Sequence, residues 1–193
     1  DELELRASAR TSLASSLRRA GDREAAEQVL DAVLLEFTCT PAWADAAYQR
    51  ALSSMERGDL LDAIERFGPL LAEHADDVAL RGNARSPAKS YQRSAAMRVV
   101  ECLLGLGRDE EALDRWVRAI RRYPARIGCG TCAESIELET KRTREFLEEL
   151  TAIPRNEVCA RVTLALDRLG PDGTELARHV LRWLDATGLA CLT

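Results

Sequence analysis

The chain has 193 residues, of which 46% are hydrophobic and 31% are charged, a composition that suits a folded protein and excludes a disordered one. Its net charge of −5 offers no overall attraction for nucleic acid or for an anionic membrane surface, so neither is expected as a partner. Six cysteines spread over this length do not make a disulfide scaffold of the small secreted kind, so a cytoplasmic location is expected.

Helices are the predicted elements, because apolar residues recur at spacings of three and four and alternating β-branched stretches are absent. Three segments share one pattern: "LRRAGDREAAEQVLDAVL", "MERGDLLDAIERFGPLL" and "LLGLGRDEEALDRWVRAI". This pattern predicts helical hairpins, in which glycine permits the turn, alanine lets two helices approach and bulky residues fill the groove between them. The positions of glycine, alanine and bulky residue are Gly21, Ala26 and Leu30, then Gly58, Ala63 and Phe67, then Gly107, Ala112 and Trp116.

This pattern resembles the tetratricopeptide repeat, and Tyr123-Pro124 stands where that family has its closing aromatic-proline element. The resemblance covers most of the chain, although glycine-to-glycine steps of 37 and 49 residues depart from the family's regular period. It implies an all-α fold, a right-handed α-solenoid of about four irregular hairpins plus an extra helix, in a single domain over residues 1–193. The expected hairpins cover residues 2–37, 41–73, 88–123 and 155–187.

Two segments interrupt the predicted array. Residues 74–87 form an insertion between the second and third hairpins. Residues 125–153 contain the sequence GCGTC and then a long helix, for which Thr131 is the expected N-cap and Glu134 its reciprocal partner. Because the apolar stripe of this extra helix is narrow, we expect the helix on the outside of the array. The stripe consists of Ile136, Phe146, Leu147 and Leu150.

The first helices of successive hairpins line a concave surface in tetratricopeptide-repeat proteins, and that surface binds a peptide or protein segment. The resemblance implies that the lining residues here are Thr11, Ser15, Gln49, Ser53, Arg98 and Glu101. The Lys and Asn with which some family members grip a C-terminal carboxylate are missing from these positions. Arg98 is instead a candidate anchor for an acidic group of an extended peptide. The alternative for each residue is a solvated position on an open surface.

Arginines gather on the second helix of the third hairpin, where Arg115, Arg118 and Arg122 share one face. Acidic residues open the same helix, and the helix dipole favours arginine near its end. A solvated face is therefore expected, rather than a site for phosphates.

Cys129 and Cys132 leave three interpretations open. A zinc site needs about four ligands. Cys159 is the candidate third ligand, and no fourth is identified. A redox dithiol is favoured if Cys132 lies in the first turn of a helix, where unpaired amides favour thiolate. The expected interpretation is a tight turn with small apolar cysteines, hence no cofactor, with zinc as the alternative.

A catalytic function is not expected, since the chain has no Gly-rich phosphate loop, HExxH or G-x-S-x-G motif and only two histidines. The sequence predicts a non-catalytic protein–protein interaction module that binds its partner on the concave face. The alternative is a metal- or redox-responsive regulatory domain that uses Cys129 and Cys132. A third hypothesis is that the chain, which does not begin with Met, is a regulatory part of a larger protein.

Overall fold

The structure is a computed structural model that describes residues 2–38, 40–72, 88–122, 132–167 and 182. Eight α-helices are assigned in these ranges, which contain no strand, and the all-α prediction is confirmed. None of the described helices is long and apolar enough to cross a membrane. The helices are α1 (Glu2–Ala20), α2 (Arg23–Glu36), α3 (Pro41–Glu56), α4 (Leu60–Leu71), α5 (Ala88–Gly105), α6 (Asp109–Arg122), α7 (Cys132–Glu149) and α8 (Arg155–Asp167).

Several predicted features lie outside the described residues. These are the insertion at 74–87, the segment that contains Cys129 and the expected N-cap Thr131, and the fourth hairpin after residue 167, apart from residue 182. The extra helix is described as α7, which begins at Cys132.

The two helices within each of the first three pairs are joined by the same kind of turn, which contains Gly21, Gly58 or Gly107. Their φ angles are 89°, 81° and 68°. Each glycine N–H donates to the carbonyl three residues earlier, and the next N–H donates to the carbonyl five residues earlier, at 2.9–3.1 Å. This Schellman arrangement satisfies carbonyls that the helix end leaves open, and glycine adopts its left-handed backbone without steric cost.

The residue after each glycine leads into the second helix of the pair. The carboxylate of Asp22 accepts a hydrogen bond from the backbone N–H of Ala25 at 3.1 Å, and Asp59 caps α4 in the same way. A side-chain cap of this kind stabilises a helix by about 1 kcal/mol. In the third turn Arg108 takes the position, and its guanidinium bonds Glu111 at 2.6 Å instead.

The apolar pattern of the three hairpins is buried as predicted. The alanine and the bulky residue after each glycine are almost completely inaccessible to solvent in every copy. Their burial confirms that these positions are interior ones. The buried residues are Ala26, Leu30, Ala63, Phe67, Ala112 and Trp116.

The chain divides by its contacts into two compact units, Asp1–Cys102 and Leu103–Thr193. In the first unit, α2 packs against both α1 and α3. The prediction of one domain over residues 1–193 stays a prediction. The core between α1, α2 and α3 contains Ala7, Ala14, Leu30, Val33, Phe37, Ala42 and Ala46.

A network of ion pairs joins α2, α3 and α4 in the first unit. Arg50 of α3 reaches Glu27 at 2.9 Å and Asp31 at 2.8 Å, both on α2. Arg57, at the end of α3, also pairs with Glu27 and lies 4.0 Å from Asp62 of α4. These contacts fix how the second helix of one pair meets the first helix of the next.

In the second unit, α7 packs into the interior through its C-terminal half. The ring of Phe146 stacks on that of Trp116 with centroids 5.4 Å apart, and Leu147 and Leu150 are fully buried. The charged residues on the other side of this half are exposed, and the expected position of the helix on the outside of the array stays a prediction. The stripe is narrow, but its residue Phe146 is large and stacks on the broad ring of Trp116.

Helix α8 is held by two arginines, at its first residue and nearly two turns later. Arg155 donates to the carbonyl of Leu147 at 2.6 Å and so covers the end of α7. Arg161 bonds Glu110 and Asp114 of α6 at 2.6 Å each. Thus α8 is joined to both α6 and α7 by arginines.

Candidate functional site

The predicted groove residues of α1 and α3 connect these two helices to each other. The hydroxyl of Ser15 donates to the amide oxygen of Gln49 at 2.9 Å, and Gln49 is nearly buried. Thr11 is buried, and its hydroxyl donates to the carbonyl of Ser8 at 3.0 Å. Ser53, the fourth of these residues, is half-buried. Three of the four side chains therefore serve the contact between α1 and α3 or the local helix.

The contact between α3 and α5 is made by a polar and aromatic group. The hydroxyl of Tyr91 donates to the carboxylate of Asp45 at 2.9 Å. The rings of Tyr48 and Tyr91 lie 5.3 Å apart at a tilt, a favourable aromatic geometry. Burial and the bond to Asp45 raise the pKa of Tyr91 to about 12. Its hydroxyl is thus committed to Asp45, and its ring forms the contact surface.

Arg98 and Glu101 form the most exposed polar pair of the predicted set. Their side chains are 42% and 47% exposed and lie 2.5 Å apart on neighbouring turns of α5. Burial opposes the charge of Arg98, yet hydrogen bonds with Tyr48 and Glu101 raise the pKa of its guanidinium. The cation therefore stays charged and reaches both solvent and Tyr48.

We call this surface of the first unit the first-helix face. It contains the exposed members of the predicted set and three residues that sequence reasoning missed: Asp45, Tyr48 and Tyr91. Spacing carried a signal for them, because Asp45 precedes Gln49 by four residues and Tyr91 precedes Arg98 by seven. The first-helix face is formed by Asp45, Tyr48, Ser53, Tyr91, Arg98 and Glu101.

The arginines of α6 are exposed, as a solvated face predicts. The acidic residues on the same helix are engaged elsewhere, since Glu110 and Asp114 bond Arg161. The exposed arginines are Arg115, Arg118, Arg121 and Arg122.

The cysteines of the predicted metal or redox set are placed only in part. Cys132 is the first residue of α7, and Cys129 lies outside the described residues. Cys159 is buried in α8 and takes part in a disulfide bond. Cys102 has a free thiol, which is buried, and burial raises its pKa to about 11.

Cys132 begins α7, and Cys159 lies in α8, the helix that follows it. Fourteen residues separate Cys132 from Phe146, which is about 21 Å along a helix axis. Arg155, one turn before Cys159, instead bonds Leu147 near the other end of that helix. Within the described ranges, no group of three or more His, Cys, Asp or Glu side chains is arranged to hold a metal ion.

Comparison of the chain with protein-family models, with curated proteins and with solved structures finds no match.

Proposed function

We propose that the chain is a non-catalytic interaction module that binds an extended protein segment on the first-helix face. The observation that carries this proposal is the exposed pair of Arg98 and Glu101, in which Arg98 also bonds Tyr48, the tyrosine that packs against Tyr91. A charged group next to an aromatic surface offers a partner both an ionic anchor and an apolar contact.

The exchange of ion pairs explains how a partner gains access to Arg98. A pair exposed to solvent contributes little free energy, so a carboxylate from the partner replaces Glu101 at low cost. The hydroxyl of Tyr91 stays on Asp45, and its half-buried ring is the surface that we propose for an apolar side chain. The partner we propose is therefore an extended segment with an acidic residue near an apolar one.

The tetratricopeptide-like array is part of the same proposal. Three identical glycine turns, the buried alanine and bulky residue after each turn, and the α1–α3 and α3–α5 contacts all support it. Successive hairpins that bury their apolar faces against one another would form the predicted right-handed solenoid. Its first helices would then present one continuous face to a partner.

A peptide-display selection against the immobilised protein, followed by fluorescence anisotropy on the selected sequences, tests the proposal. Arg98→Ala should weaken binding by about tenfold, a loss of about 1.4 kcal/mol. Glu101→Gln should strengthen binding, because it frees the guanidinium for the partner. Arg118→Ala removes an exposed arginine of α6, which carries none of the predicted binding residues, and should leave affinity unchanged.

The two substitutions on α5 should change the affinity in opposite directions, and this makes the test specific for an acidic group on the partner. If Arg98→Ala binds as the wild type does, or if Glu101→Gln weakens binding, the first-helix face is not the site. Gln49→Ala is a poor substitute, because Gln49 also joins α3 to Ser15 and its loss would disturb the α1–α3 contact.

The disulfide at Cys159 favours a second candidate, a thiol-based regulatory domain. Oxidation of two thiols to a disulfide removes two protons and two electrons, which a disulfide oxidant such as oxidised glutathione accepts. Intact mass should rise by two hydrogen atoms when reductant is added, and Cys159→Ser should abolish that difference. A mass that reductant does not change, in protein purified without reductant, contradicts this candidate.

A further inference from the structure

The outward side of α1 carries an apolar face that the described residues leave exposed. Leu5 and Leu13 are 72% and 50% exposed, and Ala9 lies between them on the same side of the helix. These three residues are four apart, so they follow one line along the helix. Ser12 beside them is also exposed.

The same positions are buried in the next two hairpins. Counting back from the turn glycine, Ala9 occupies the position of Ala46 and of Ala95, which are both fully buried. In α3 this position faces α2, since Ala46 packs in one cluster with Leu30 and Val33. The face of α1 is therefore built like a surface that another helix covers.

Leu13 shows the same relation one turn later. It occupies the position of Arg50, whose guanidinium pairs with α2, and of Val99, which is buried. An exposed apolar side chain at this position of α1 contributes no free energy of burial. Contact with a second helix would remove it from water and would be favourable.

From this arrangement we infer that α1 docks against α1 of a second copy of the chain, in antiparallel orientation. Ala9 lies midway between Leu5 and Leu13, so a two-fold axis at Ala9 places Leu5 against the partner's Leu13 on both sides. The small side chain of Ala9 allows the two helix backbones to approach closely at the axis.

Charge at the two ends of α1 supports the antiparallel orientation. The first turn contains Glu2 and Glu4, and the last turn contains the exposed Arg19, while Arg18 beside it pairs with Glu56 of α3. An antiparallel pair brings the acidic end of each helix beside the basic end of the other. A parallel pair would bring like charges together.

Light scattering coupled to size-exclusion chromatography, in the presence of reductant, measures this association. A single helix pair buries less area than a standard interface of about 1,600 Å², so the association is expected to be weak. The protein concentration should therefore be varied from about 1 µM to about 200 µM. The mass of the wild type should rise to twice 21.3 kDa within this range. A mass of 21.3 kDa at every concentration overturns the proposal.

Substitutions on the face test where the two copies meet. Leu13→Arg and Leu5→Glu should each abolish the doubling, because two charges would be placed against apolar groups. Leu35→Arg changes an 82% exposed leucine of α2 and is the matched control, which should associate as the wild type does. A dimer that persists in Leu13→Arg overturns the proposal.

The double variant Leu5→Glu with Leu13→Arg tests the antiparallel alignment itself. The two introduced charges would face each other across the two-fold axis, so the doubling of mass should return. Continued monomer in the double variant, with helix content unchanged by circular dichroism, overturns the proposed alignment.

Discussion

A single backbone angle at Gly21 determines how α1 turns into α2. Its φ of 89° lies in the left-handed region, and nothing lies within 4 Å of the place that a Cβ would occupy. Gly21→Ala should therefore lower the free energy of unfolding by about 1 kcal/mol through backbone strain alone. Urea denaturation followed by circular dichroism measures the loss.

Asparagine provides the control for that substitution, because its side chain tolerates the left-handed region better than that of alanine. Gly21→Asn should lose less stability than Gly21→Ala. Equal losses would mean that bulk at the turn, rather than the backbone angle, is responsible.

The hydroxyl of Tyr91 gives the protein a titration step at high pH. Burial and the bond to Asp45 raise its pKa from 10.0 to about 12, so the folded state favours the neutral hydroxyl. This contribution to stability is complete below pH 10 and is lost as the pH rises from 10 to about 12. Tyrosinate absorbance should show a step near pH 12 that belongs to Tyr91.

Two variants separate the causes of that shift. Tyr91→Phe should remove the step near pH 12. Asp45→Asn should move it to lower pH, because the carboxylate that disfavours a neighbouring phenolate is gone. A late step that persists in Tyr91→Phe would assign it to another tyrosine.

At the scale of the helix, α7 is fixed by the few apolar residues of its C-terminal half. Phe146 is buried against Trp116, so Phe146→Ala should lower the free energy of unfolding by about 3 kcal/mol. Leu164→Ala on α8 changes a 54% exposed leucine and should cost less than about 0.5 kcal/mol. Urea denaturation of both variants checks the difference, and equal small losses would place α7 outside the core.

For the whole molecule, the division into two compact units predicts that a destabilising substitution in one unit lowers the stability of that unit more than that of the other. Phe67 is fully buried in the first unit, and Phe67→Ala should cost about 3 kcal/mol. Hydrogen exchange with mass spectrometry should show lost protection in α2, α3 and α4 and retained protection in α7 and α8. A uniform loss would instead support the single cooperative domain predicted over residues 1–193.

Local sequence was sufficient to predict the helical hairpins, because their turns depend on one glycine and their burial on residues a few positions later. Gly21 with Ala26 and Leu30 is readable from spacing alone. Phe146 was readable as part of the apolar stripe of α7, but its contact with Trp116 was not, because the two residues lie 30 positions apart. The first-helix face was predicted only in part, because the partnership of Tyr91 with Asp45 joins residues 46 positions apart.

The buried thiol of Cys102 allows the local opening of α5 to be measured by chemical modification. Thiols react with alkylating reagents as thiolates, and at neutral pH both burial and a pKa of about 11 withhold that form in the folded molecule. Modification of the peptide that contains Cys102, followed by mass spectrometry, therefore counts the occasions on which α5 opens. The native sequence thus contains its own probe of local unfolding in this helix, and no label has to be engineered.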